Sequence, residues 1–112
     1  MSKCIYQKPE NPAFLRDGLA GYNFGVANKN LEIYFVDSKT GHGRRAISDS
    51  ITHLYYILDG SGEFEIDGKT YPAHTGELVE IPPKHSFDYS GSMKMLLIME
   101  PPYSPEKVIE TN

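Results

Sequence analysis

The chain has 112 residues, enough for one hydrophobic core but not two, and its 39% hydrophobic and 23% charged content is that of a globular domain. A formal charge of −4, with Arg44-Arg45 the only adjacent basic pair, excludes the basic surface that nucleic acid or an anionic membrane needs, and no apolar run is long enough to span a bilayer. Cys4 is the single cysteine, which excludes an internal disulfide and a Cys-based zinc site, and the N-terminus lacks the apolar stretch of a signal peptide, so a reduced, cytoplasmic setting is expected.

Taken in order, residues 1–15 contain Pro9 and Pro12 and predict an extended arm, with Phe14 and Leu15 as anchors. Residues 16–30, rich in Gly and Asn, predict loops around short extended pieces. Leu31, Ile33 and Phe35 alternate along a strand at 31–36. Residues 37–43 predict a turn, and 44–49 a weaker strand. The centre of the chain is 53–68, read as a hairpin whose arms, 55–58 and 63–66, are joined by Asp59-Gly60-Ser61-Gly62 and closed by Asp67-Gly68. Short strands follow at 69–71, 78–81, 86–89 and 93–99, with turns at 72–76 and 90–92. Pro101-Pro102 then releases a polar tail, loose at its end. Many short strands at close spacing, with no helical periodicity, predict a single all-β domain of the sandwich or barrel kind.

Three stretches carry a more specific likeness. They are Tyr55 to Gly68, Gly76-Glu77-Leu78-Val79-Glu80-Ile81-Pro82-Pro83, and Met95-Leu96-Leu97-Ile98-Met99-Glu100-Pro101-Pro102. Over about residues 41–102 they resemble the cupin superfamily of small double-stranded β-helix, or jelly-roll, barrels. The resemblance implies a cupin barrel at 31–102, an N-terminal arm and loops packing on it at 1–30, and a tail at 103–112. It also implies where metal-binding members place their ligands. Anchored on Gly41 and Gly60, the two histidine slots of the first motif fall on Ile47 and Asp49, and its glutamate slot falls on His53; the histidine slot of the second motif is Phe87. All four ligand types are changed, so no metal is expected. Asp49, His53 and His85 remain as donors that could make a three-ligand site for a divalent ion.

Strand parity then selects the residues of the lumen. With Asp49 and His53 inward, Arg45, Ile47 and Tyr55 join them, and His85 and Tyr89 share the face of Phe87. A turn between 49 and 53 would break that parity. His53 and Asp49 then read either as an acid–base dyad or as a structural pair, and Tyr55 either as a proton donor or as core. Arg45 suits an anionic group if it faces inward, and Ile47 and Phe87 form apolar walls, with His85 and Tyr89 as further ligand-binding groups. His42 and His74 fall in turns and are expected in solvent, and Glu63, Glu65 and Glu80 on the outer face.

Three functions remain open at this level. The first is a module that binds a small polar ligand, of sugar or carboxylate type, in the lumen without metal. The second, implied by the resemblance, is a metal-independent sugar epimerase or ketoisomerase-like enzyme with His53 as base, Asp49 as support and a tyrosine as donor. The third is a metal-dependent cupin enzyme, a dioxygenase or lyase, with an altered ligand set. The resemblance also implies a homodimer, formed through an outer sheet or an exchanged arm.

Overall fold

In the computed structural model the described residues, 4–111, form nine β-strands and a 3-10 turn at Pro105–Lys107. The first three residues of the expected arm, and Asn112 of the tail, lie outside the described residues. The strands are β1 (Phe14–Arg16), β2 (Leu19–Asn23), β3 (Glu32–Ser38), β4 (Arg45–Ser48), β5 (Thr52–Ile66), β6 (Lys69–His74), β7 (Leu78–Ile81), β8 (Phe87–Glu100) and β9 (Val108–Thr111). Among the described residues no helix is long and apolar enough to cross a membrane.

Two long strands set the architecture. β5 and β8 pair antiparallel along almost their whole length, from Thr52 opposite Glu100 to Ile66 opposite Phe87. The first part of β5 is flanked by β7 and its last part by β6, so the pair passes from one layer to the other and bends between them. A register shift between Ile57 and Asp59 marks the bend. On one side of it β1, β2 and β3 extend the sheet from β8 while β7 flanks β5. On the other, β6 flanks β5, and β4 and then β9 extend from β8. Two sheets that share their bent strands enclose one core, which is the jelly-roll architecture.

The bend explains why the Gly-containing stretch at 59–62 is not the turn its composition suggests. Those residues stay inside β5 and face β8 at 91–94. A Cβ on Gly60 would sit 2.2 Å from the Ser92 carbonyl oxygen, and one on Gly62 would sit 2.2 Å from that of Ser90. The glycines serve close strand approach rather than chain reversal. The reversal falls at Asp67-Gly68, both with positive φ (51° and 82°), which suits a tight turn of the primed type. Likewise 90–92 continues β8 and the tail returns as β9 on β4, while 19–23 is one of the short extended pieces expected among the loops of 16–30.

The inner faces of β5 and β8 follow the alternation read from the sequence, but in β3 the face is the other one: Tyr34, Val36 and Ser38 are buried, while Ile33 and Phe35, expected on the apolar side, look outward. Val36, Ile57, Phe64, Met93 and Met95 are fully buried between the sheets. Each side chain of this size contributes about 1.5–3 kcal/mol by leaving water. The packing is not uniform, however. Toward the end bounded by β1, β4 and β9 the same inner face opens into a cavity.

Candidate active site

The cavity has a volume of about 390 Å³, and its walls come from β1, β3, β4, β5, β8, β9 and the segments beside them. Aromatic rings dominate. Tyr55 contacts Phe64, Phe87 and Tyr89 at 5.3–6.0 Å between centroids, in edge-on and tilted arrangements that fix all four rings. Leu97 and Met99 of β8 and Tyr34 of β3 continue the apolar wall. The polar groups converge at one end: Arg16 from β1, His42 from the segment before β4, Tyr89 from β8 and Glu110 from β9.

His42 is held at three points. Its amide donates to the Tyr89 carbonyl oxygen at 2.8 Å, and its own carbonyl accepts from Arg16 Nη2 at 2.6 Å. Ring atom Nδ1 lies 2.6 Å from the Arg44 carbonyl oxygen. A carbonyl only accepts, so Nδ1 carries the proton and Nε2 of the neutral ring carries the lone pair. Nε2 lies 3.8 Å from Glu110 Oε2, and the ring rests on Tyr89 and Phe87, 5.2 and 5.7 Å away. Burial lowers the pKa of this ring; the Arg16 charge lowers it further, while the Arg44 carbonyl and the carboxylates of Glu110 and Asp88 oppose the shift. At neutral pH His42 is a base with its lone pair available.

Gly41 makes this placement possible. Its φ is +135°, and a Cβ there would lie 2.3 Å from the Tyr89 carbonyl oxygen. Only glycine lets the chain come against β8 at this point and deliver the next residue to the cavity. His42 is therefore not the solvated turn residue that its surroundings in the sequence suggest.

The tyrosine pair completes this end of the site. The Tyr55 and Tyr89 hydroxyls hydrogen-bond one another, and burial raises both pKa values above the ordinary 10. Both stay protonated at any working pH; one proton is held between the two hydroxyls, and the other is left to donate to an oxygen on which negative charge develops.

His53 is the second buried imidazole. It shares the Phe87 ring with His42, 4.9 Å from it, and is stacked on Tyr55 with 8° between planes. Burial, with a contribution from His42, lowers its pKa to about 4.

The structure divides the residues singled out from the sequence. His53, Tyr55, Phe87 and Tyr89 line the cavity. Arg45, Ile47, Asp49 and His85 do not, which corrects their expected inward placement. The inward residues of β4 are Ala46 and Ser48, while Arg45 is exposed and pairs with Glu65 at 2.7 Å. β4 ends at Ser48, whose Oγ accepts from the amides of Ser50 and Ile51, and across that turn the parity moves by one residue. Asp49 is left exposed and the His53–Asp49 dyad does not form. His85 is bonded to Asp67 on the outside, where the bond lowers the Asp67 pKa. Arg16, Tyr34, Tyr103 and Glu110 were not singled out, and His42, expected in solvent, lines the cavity instead. For His42 a signal existed in the Gly-His-Gly sequence; for Arg16 and Glu110, on segments read as loop and tail, there was none.

These positions also decide how well a metal would fit. Of the four slots set by the motif spacing, Ile47 and Asp49 miss the cavity and Phe87 has no donor atom, leaving His53 alone. Ser48 would add one hydroxyl, already engaged with two amides. Among the described residues no three His, Cys, Asp or Glu side chains converge on a point that could hold an ion. The donor set does not fit a metal.

Fold and site together define a single-domain jelly-roll barrel with an aromatic-walled lumenal pocket. The chain belongs to the cupin family: the family model for the Cupin domain matches residues 41–99. A curated relative, the uncharacterized protein MJ1618 of Methanocaldococcus jannaschii, is 36% identical over 75 residues, 63% of this chain; the chain spans 58% of that protein's length. Among solved structures, Pac13, described as a unique nucleoside dehydratase, superposes with a TM-score of 0.90 at 23% identity, over 99% of this chain and 92% of that one. Streptomyces PAC13 with a His-to-Gln substitution and uridine gives 0.90 at 22% identity, with the same coverage. These structural likenesses are likenesses of fold.

Proposed function

We propose that this protein is an acid–base enzyme that works without a metal ion on a nucleoside-type substrate, taking a proton from a sugar carbon and expelling a neighbouring hydroxyl as water. The observation that carries the reading is the setting of His42. It is a buried neutral imidazole with Nδ1–H tied to a carbonyl, Nε2 free at the cavity, and Arg16, Tyr89 and Glu110 around it. The comparisons support the same class. The PAC13 structures with uridine carry the substitutions H42Q, Y55F and Y89F. This chain has His42, Tyr55 and Tyr89 at those numbers and holds them together in its cavity.

The chemistry follows from the groups present. An imidazole does not deprotonate an unactivated sugar carbon, so the substrate needs a carbonyl beside the carbon that loses its proton. His42 Nε2 takes that proton, and the electron pair moves onto the carbonyl oxygen. The Tyr89 hydroxyl and the Arg16 guanidinium are placed to stabilise the resulting enolate. The enolate then re-forms the carbonyl and expels the β-hydroxyl, which leaves as water with the proton from His42. One substrate gives one unsaturated carbonyl product and one water, with no redox change.

Incubation with nucleosides oxidised at the sugar, followed by mass spectrometry in heavy water, tests the proposal. Loss of 18 mass units with a new conjugated absorption is the expected result. Deuterium uptake without water loss would instead mark an epimerase or isomerase using the same base. Binding with neither change would leave a ligand-binding module.

A further inference from the structure

His53 is not used in that reaction, yet it is one of the most unusual groups in the molecule. Only 5% of the residue's surface is exposed. Among the described residues no hydrogen-bond partner reaches either ring nitrogen; its contacts are the rings of Tyr55 and Phe87. Yet no fully enclosed side-chain nitrogen or oxygen among those residues lacks a partner. The unpartnered nitrogens of His53 therefore retain a little exposed surface, and the surface beside them is the cavity wall. A buried imidazole with an open hydrogen-bonding position is costly unless something fills that position.

Its surroundings say what kind of group that is. The charged side chains of the cavity, Arg16 and Glu110, gather at His42. His53 faces Met99 across the β5–β8 ladder, two pairs along from Tyr55 and Leu97 and on the same face. That end is largely apolar and aromatic, with no charged side chain among the described residues, and the His53 ring supplies polar atoms to it. A sugar, with hydroxyls around its ring, matches the His42 end, where the reacting carbon must lie. A flat heterocycle with apolar faces and a polar edge matches the other.

We infer that His53 is the residue that reads the nucleobase, its ring nitrogen meeting the polar edge of a heterocycle laid along Phe87 while the sugar lies toward His42. This rests on the nucleoside reading and adds to it a specificity-determining residue. A neutral imidazole offers either an N–H or a lone pair by choice of tautomer, so it pairs with a carbonyl or a ring N–H of the base.

Titration calorimetry with uridine and with methyl β-D-ribofuranoside, which keeps the sugar and lacks the base, tests the assignment. In His53→Leu the affinity for uridine should fall about tenfold, that for the riboside should stay within about twofold, and His53→Gln should recover part of the loss. Equal weakening of both ligands, or of neither, overturns it. Protein labelled with 15N at histidine gives a readout without mutation. The His53 ring signals should move on adding uridine and not on adding the riboside, and a signal unmoved by saturating uridine also overturns the assignment. If uridine fails to bind the unmutated protein, the nucleoside reading falls and this assignment falls with it. If uridine binds and His53 does not respond, only the assignment falls.

Discussion

Acidification tests the electrostatics of the cavity, and His53 gives the clearest magnitude. Burial, helped by His42, brings its pKa from 6.5 to about 4. Between those values the unfolded chain binds a proton that the folded chain does not, so stability falls as the pH drops through that window and is unaffected above it. At 1.36 kcal/mol for each factor of ten in proton affinity, the full loss is about 3 kcal/mol, and about 2.5 kcal/mol of it is reached by about pH 4.5. For a domain holding about 5–15 kcal/mol in total this is a large share, equivalent to about 10 °C in Tm. His53→Leu occupies a similar volume and takes no proton. Urea unfolding of both proteins from about pH 7.5 down to about pH 4.5 isolates the effect, because carboxylate protonation acts on both and cancels in the difference. The unmutated protein should lose about 2.5 kcal/mol more than the variant over that range. A difference that stays flat with pH would refute the reasoning.

The remaining predictions concern the base, the backbone that places it, the core and the outer surface. If the proposed reaction holds, His42→Gln should lower kcat about 10²- to 10⁴-fold with little change in Tm; in the unmutated protein kcat/KM should be level above the ordinary histidine value and fall only below it, since the His42 pKa is lowered. A slope centred above that value would count against His42 as base. Gly41→Ala puts a Cβ 2.3 Å from the Tyr89 carbonyl oxygen at a φ of +135° and should cost about 3 kcal/mol or more by urea melt. Phe64→Ala, at a fully buried ring where β5 meets Tyr55 and Tyr89, should cost about 3–5 kcal/mol. On the outer face Leu78, Tyr56, Leu96, Phe35 and Tyr22 lie opposite one another in register across five strands, an apolar row suited to a second copy of the chain. Sedimentation at micromolar concentration should give twice the chain mass, and a monomer at all concentrations would remove the homodimer proposal.

Much of the fold was legible in residue order because alternation is a local property. Tyr55 to Leu58 and Glu63 to Ile66 show the strands and their inner residues Tyr55, Ile57 and Phe64, whereas at 31–36 both faces carry apolar residues and the buried one is Tyr34 and Val36, not Ile33 and Phe35. Glycine was the less readable signal. At Asp67-Gly68 it marks a turn, whereas at Gly60, Gly62 and Gly91 it marks places where two strands pass too close for a Cβ. Both demands select the same residue, and local sequence does not tell them apart. The lumen was half legible for a related reason. His53, Tyr55, Phe87 and Tyr89 sit within continuous strands where parity holds, while Arg45, Ile47 and Asp49 were placed by carrying that parity across a turn that resets it.

The sequence by itself determined an all-β chain of cupin type with aromatic residues in its strands, because composition and period-two alternation are written residue by residue. Only the tertiary structure decided which polar groups meet. Arg16, His42 and Glu110 come from three segments far apart in the chain, and they converge because β1, β4 and β9 close the same end of the barrel. Proximity of that kind depends on strand order and on where two long strands bend, and neither is a property of any one stretch of sequence.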